Sequence, residues 1–96
     1  MHAVIRTYSG AGAKQLFAEL AKQKNVVEDL IRPINGFVSY ALIDTGDGGV
    51  SVTVCRDKKG TDESVRVAAE WIKKNLPNVG ASAPAIKEGS VLIQLT

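Results

Sequence analysis

From Gly36 to Arg56 the chain reads GFVSYALIDTGDGGVSVTVCR, two alternating runs around a glycine-rich centre, and this stretch restricts the fold more than any other. The flanks are rich in Val, Ile and Tyr, and Asp-Gly supplies the positive φ angles of a hairpin turn. If Asp44 to Gly49 forms the loop without a bulge, Ile43 pairs with Val50, Ala41 with Val52, Ser39 with Val54, and Phe37 with Arg56. Strand side chains alternate between faces. One face of the hairpin is therefore mostly aliphatic. The other is mixed, with Leu42 opposite Ser51, Tyr40 opposite Thr53 and Val38 opposite Cys55. The aliphatic face is the expected core, so Val50, Val52 and Val54 should be buried.

Ahead of the hairpin, HAVIRTY (His2 to Tyr8) reads as a first strand with Val4, Arg6 and Tyr8 on one face. From about Ala11 to Ile31 the apolar positions Ala13, Leu16, Phe17, Leu20, Val27, Leu30 and Ile31 share one helical stripe. Gln23 and Lys24 interrupt it, which predicts one long helix or two pieces with an irregularity near Gln23 to Val26, ending before Pro33. After the hairpin, Asp57 to Gly60 reads as a charged turn, with Thr61 as the N-cap of a second helix. Val65, Ala68, Ala69, Ile72 and Leu76 make its stripe, Trp71 lies off it beside Val67, and Pro77 stops it. Ala85 to Thr96 contains a last strand, strongest at Val91 to Leu95, with a bend near Glu88-Gly89.

The order βαββαβ is the ferredoxin-like arrangement. It is an α+β fold over residues 1–96 as a single domain, with both helices on one face of a four-stranded antiparallel sheet. The open face would collect Tyr40, Thr53 and Cys55, with Arg6, Tyr8 and Gln94 where the outer strands are in register. Apolar Val4, Val38, Leu42 and Leu92 would lie among them. Large exposed apolar patches are rare on monomers, so a homodimer through this open sheet face is expected.

Composition removes several function classes. Charged residues are 23% of the chain and the net charge is only +2, with no basic run. That is not the electrostatic footprint of a nucleic-acid binder. No apolar run reaches the roughly 20 residues that span a bilayer. Cys55 is the only cysteine and no secretory signal pattern opens the chain, so the cytoplasm is the expected compartment. A single His, a single Cys and scattered carboxylates give no metal-ligand spacing. Gly10-Ala11-Gly12 lacks the third glycine of a dinucleotide fingerprint, Gln15 standing in its place, and reads as a flexible turn. No cofactor is expected.

The candidate ligand-binding residues are Arg6, Tyr8, Tyr40, Thr53 and Trp71. Arg6 can hold a carboxylate or phenolate with its planar fork, or form an ion pair at an interface. The tyrosines can hydrogen-bond a substrate oxygen or serve as ordinary interface residues. Trp71 can roof a cavity or pack a helix edge. Cys55 is better read as a buried structural residue than as a nucleophile, and His2, at the chain end, as an exposed bystander rather than a general base.

Arg6-Thr7-Tyr8-Ser9-Gly10, Gly36-Phe37-Val38-Ser39-Tyr40, Asp47-Gly48-Gly49 with Val52-Thr53-Val54-Cys55, and Gly60 to Trp71 are similar to small uncharacterised bacterial proteins. The whole pattern resembles the dimeric α/β-barrel superfamily, which includes the antibiotic biosynthesis monooxygenases. That resemblance implies two ferredoxin-like subunits paired face to face around a pocket for a small apolar or anionic ligand. It also implies, as one activity, cofactor-independent oxygenation of an aromatic or polyketide-like substrate. Haem-degrading relatives place a histidine on the second helix, and Asp62 to Leu76 has none. A non-catalytic ligand-sensing module, or a structural dimer whose inner face is filled, remain alternatives, since this fold serves many roles.

Overall fold

The computed structural model describes residues 1–96. The elements are β1 (His2–Tyr8), α1 (Ala13–Lys22), α2 (Lys24–Ile31), β2 (Phe37–Asp44), β3 (Gly49–Cys55), α3 (Lys58–Asn75) and β4 (Ala85–Ser90). All strand pairs are antiparallel, in the order β2-β3-β1-β4. This is the ferredoxin-like βαββαβ fold, its first crossover built from two helices.

Alpha1 buries Ala13, Leu16, Phe17 and Leu20, and α2 continues the stripe with Val27 and Ile31. The break falls at Gln23, whose φ of −123° and ψ of 40° leave the helical region, while its N–H still bonds to the Leu20 carbonyl. Gly12 caps α1 at φ 78°, and a Cβ there would come within 2.7 Å of the Ala81 backbone. Glycine is needed at this position for its conformation and for close approach of the loop after α3.

Alpha3 begins earlier than the sequence suggests. Asp57, not Thr61, is the N-cap: its carboxylate accepts from the Gly60 N–H, so the expected charged turn becomes the first helical turn. Thr61 is then fully buried against the sheet. The helix stops at Asn75, ahead of Pro77, with Lys73 and Lys74 in its last turn complementing the dipole.

Two strand expectations need correction. The hairpin register is as expected from Ile43↔Val50 to Ser39↔Val54, but a bulge at Val38 brings Phe37, rather than Val38, opposite Cys55. The last strand is Ala85–Ser90 and pairs without interruption through Glu88 and Gly89, so the bend is absent. Val91 to Leu95 is instead a tail. It leaves β4 with the Val91 N–H on the Met1 carbonyl and reaches Ser39 of β2, whose Oγ accepts from Gln94 Nε2 at 3.3 Å. The tail thereby crosses the outer sheet face above Val54, yet Leu92, Ile93 and Leu95 stay exposed.

The larger correction concerns the two faces of the sheet. Val4, Arg6, Tyr8, Ser51, Thr53 and Cys55 are buried beneath the helices, and Tyr40 and Leu42 pack there too. Ile5 and Ile43, on the face expected to be core, are 40% and 47% exposed, and Val50 and Val52 are half-buried. Volume accounts for the inversion. The helices supply the bulky side chains Leu16, Phe17, Leu20, Val27 and Ile31, and a close-packed layer must oppose them with small residues. Gly49 lies directly under the Phe17 ring, and Ser51, Thr53 and Cys55 follow it along β3. Tyr8 meets Phe17 edge to face, ring centroids 5.7 Å apart.

Candidate ligand site

Beta1 carries Arg6 and Tyr8 on the helix-facing side, two residues apart and so pointing the same way. Ser51 is the register partner of Arg6 on β3, and Leu42 faces Ser51 from β2. Thr53 and Tyr40 form the next row. Trp71 comes in from α3, turned toward the interior rather than away from it. Arg6, Tyr8, Tyr40, Ser51 and Trp71 line one small chamber of about 30 Å³, otherwise walled by Leu20, Val27, Leu30, Ile31, Leu42, Ala68 and Ile72.

Arg6 and Tyr8 also line a second, larger space. This cleft of about 520 Å³ runs between α3, the loop from Pro77 to Pro84, and β4. Its walls include Leu16, Val65, Ala69, Ile72, Leu76 and Ile86, with Lys73 the only other charged residue. Both spaces lie between the sheet and the helices of one chain. The expected pocket between two facing sheets is thereby corrected: the candidate side chains are on the opposite face from the one left open. A separate groove of about 620 Å³ lies over the start of α3 and holds none of these residues.

The electrostatics of Arg6 are unusual. Its residue is 2% exposed, its Nη1 donates to the Tyr8 hydroxyl at 3.3 Å, and its Nε has no partner. No carboxylate pairs with it, and neither the chamber nor the cleft is lined by Asp, Glu or His. A buried charge without a counter-charge costs on the order of several kcal/mol. Ser51 Oγ and Thr53 Oγ1 are also buried without partners. Burial raises the Tyr40 phenol above its ordinary value, the neighbouring Arg6 charge offsetting this in part.

Four of the five sequence candidates, Arg6, Tyr8, Tyr40 and Trp71, therefore meet at one chamber. Thr53 lies one row away and does not line it. Ser51 was missed. Its signal is the regular V-S-V-T-V-C alternation of β3, in which hydrophobicity alone assigns the valines to the core. His2 is not an exposed bystander: Nδ1 sits 2.8 Å from Thr61 Oγ1 and Nε2 3.6 Å from Glu88 Oε1. The buried Thr61 hydroxyl is directed at the Lys58 carbonyl, so the trio joins three elements and offers no accessible nucleophile. Cys55 is fully buried against Gly60, with its thiol pushed up by burial, as a structural cysteine would be.

No family model matches the chain, and no curated protein does. Solved structures share its fold. Protein NE2512 of unknown function from Nitrosomonas europaea superposes with a TM-score of 0.69 at 14% identity, over 99% of this chain and 91% of that one. The haem degrader MhuD from Mycobacterium tuberculosis, with two haems bound in its active site, gives 0.66 at 19% identity over 100% of both chains. The monooxygenase of the ActVA-Orf6 gene from Streptomyces coelicolor, in complex with nanaomycin D, gives 0.58 at 18% identity, covering 97% and 91%. The chain shares the ferredoxin-like fold of these structures, and no helix is long and apolar enough to cross a membrane.

Proposed function

On the premise of that fold, we propose that the chain is a homodimeric protein that binds an anionic, largely apolar small molecule in the cleft above Arg6 and Tyr8. The observation that carries this reading is the buried Arg6 guanidinium with no carboxylate partner. A ligand acid or phenolate would compensate its charge, Tyr8 would hydrogen-bond the same oxygen, and the apolar wall of α3 would hold the ligand body. The aliphatic outer face would pack on a second copy, which would cover Ile5, Ile43, Val50 and Val52. Cys55 and the absence of disulfides suit a reducing cytoplasm.

The chemistry this environment suits is oxygenation of an electron-rich aromatic or polyketide-like substrate without metal or cofactor, with Arg6 holding the substrate as its oxyanion. The monooxygenase solved with nanaomycin D supports that direction. Haem does not fit: the side chains that α3 turns to the cleft are Val65, Ala69, Ile72, Lys73 and Leu76, with no imidazole, thiolate or thioether to hold iron. A second reading, non-catalytic ligand sensing, is supported by the lack of any carboxylate or imidazole along the cleft to serve as a base.

Titration with 1-naphthoate and its neutral analogue 1-naphthamide, followed by Trp71 fluorescence, tests the site. Naphthoate should bind about tenfold or more tightly than the amide, and Arg6→Gln should erase the difference. Equal affinity of the two probes for the unmodified protein would remove Arg6 from the site. Consumption of dioxygen with an electron-rich naphthol then separates an enzyme from a sensor.

A further inference from the structure

The segment from Val91 to Leu95 has the composition of a strand and no strand to pair with. VLIQL is almost wholly aliphatic, yet it makes one backbone hydrogen bond, from the Val91 N–H to the Met1 carbonyl. Its side chains divide into two sets. Val91 and Gln94 are half-buried, Gln94 holding Ser39 of the outer sheet face, while Leu92, Ile93 and Leu95 are 94%, 77% and 89% exposed. We infer that this tail is the central contact of the homodimer, seated between the outer faces of two sheets with Leu92, Ile93 and Leu95 pressed on the second copy. The inference rests on the dimer proposed above and adds to it the segment that holds the two copies together.

Area decides the weight of the tail. At roughly 100 Å² per fully exposed Leu or Ile side chain, the three tail residues with Ile5 and Ile43 offer about 350 Å² of apolar surface per copy, about three-quarters of it on the tail. A stable interface buries about 800 Å² per partner, somewhat over half of it apolar. The face with its tail reaches most of that apolar share, whereas Ile5 and Ile43 alone, at about 90 Å², fall far short. Charge selects a second copy as the occupant. Strand pairing leaves Lys87, on the edge strand β4, as the one charged side chain pointing from the outer face, and Val91 to Leu95 carries none. A neutral apolar patch meets its own copy across a two-fold axis without burying unpaired charge. A charged partner would find almost nothing there to pair with. Seated in this way the tail takes up the space between the sheets, and the ligand cleft stays within each chain, beneath its helices.

Sedimentation of the parent, of Ile5→Asp and of the double variant Leu92→Asp/Leu95→Asp tests the tail. Both leucines are almost fully exposed in the single chain, so the double variant should melt with the dilute parent, while its dimer dissociation constant rises about a hundredfold or more. A double variant that dimerises like the parent would overturn the inference. If Ile5→Asp is then monomeric, the proposed dimer stands without the tail. A second readout does not depend on how the double variant folds. Leu92→Cys presents one accessible thiol, since Cys55 is fully buried, and its alkylation by iodoacetamide should slow as rising protein concentration drives the dimer. Alkylation at one rate across concentrations over which the parent dimerises would also overturn the tail contact. A parent that is monomeric throughout would overturn tail and dimer together, and pelleting of that monomer with phosphatidylcholine vesicles would assign the tail to a lipid surface instead. Neither result touches the naphthoate test of the cleft.

Discussion

The two faces of the sheet reverse what hydrophobicity alone would assign. The inner face carries Arg6, Ser51, Thr53 and two tyrosines and is buried, while the outer face carries Ile5, Ile43, Val50 and Val52 and is largely open. A face is buried when something of matching volume covers it. The helices bring their own bulk to the inner side, so small and polar sheet residues fit there, and some of their polar atoms are left without partners. The outer face keeps Ile5 and Ile43 exposed beside the C-terminal tail, which would suit a large apolar surface such as a second copy.

Truncation should separate the faces most strongly. Leu16, fully buried between α1 and the sheet, should lose about 2–5 kcal/mol of stability on change to Ala. Ile5→Ala, by contrast, should lose less than about 1 kcal/mol at concentrations where the chain is monomeric, since its side chain is 40% exposed. Ile5→Asp, read by sedimentation, should shift the proposed dimer toward monomer. A parent that sediments as a monomer at high concentration would break the comparison, because the aliphatic face would then have no cover.

Arg6→Met is the next largest effect and should have the opposite sign. Replacing an uncompensated buried charge with an apolar side chain of similar length should raise stability in ligand-free buffer by about 1–3 kcal/mol. Urea denaturation measures it. A clear loss would mean that Arg6 holds the fold together, rather than holding a site at the fold's expense.

The smallest effect is alkaline. Burial raises Tyr40 above its ordinary 10.0, and burial with the nearby Asp57 charge raises Cys55 above its ordinary 9.0. Both groups are neutral when protonated, so above pH 9 the unfolded chain releases protons that the folded chain keeps. Stability is then complete below pH 9 and falls as pH rises through that range. Tyr40→Phe should flatten the upper part of the decline and leave the Cys55 part. A stability curve rising from pH 9 to 11 would contradict the burial of both groups.

Much of this was legible in the chain itself. The Asp-Gly-Gly turn fixed the hairpin and its register from Ile43 to Ser39, since loop length and turn type set which residues pair. The apolar spacing located the first crossover and a weak stretch near Gln23 to Val26, because the 3.6-residue period is a local property; the break itself falls at Gln23. The end of α3 followed from Pro77. The candidate side chains on β1 and β2 were also readable, since period two alone places Arg6 and Tyr8 on one face.

Tertiary structure decided which face that was. Alternation says that Val50, Val52 and Val54 point one way and Ser51, Thr53 and Cys55 the other, but it carries no sign. The sign came from the volumes of Leu16, Phe17 and Leu20 meeting Gly49 and the small residues of β3, a contact between segments more than thirty residues apart. The same packing turned Trp71 inward and left Arg6 without a carboxylate. The Asp57 cap and the β4 boundary likewise depended on which backbone groups had partners once the sheet was assembled. Local pattern determines what each element is. Only the summed volumes and charges of all the elements determine which surfaces are satisfied from within and which are left open or unpaired.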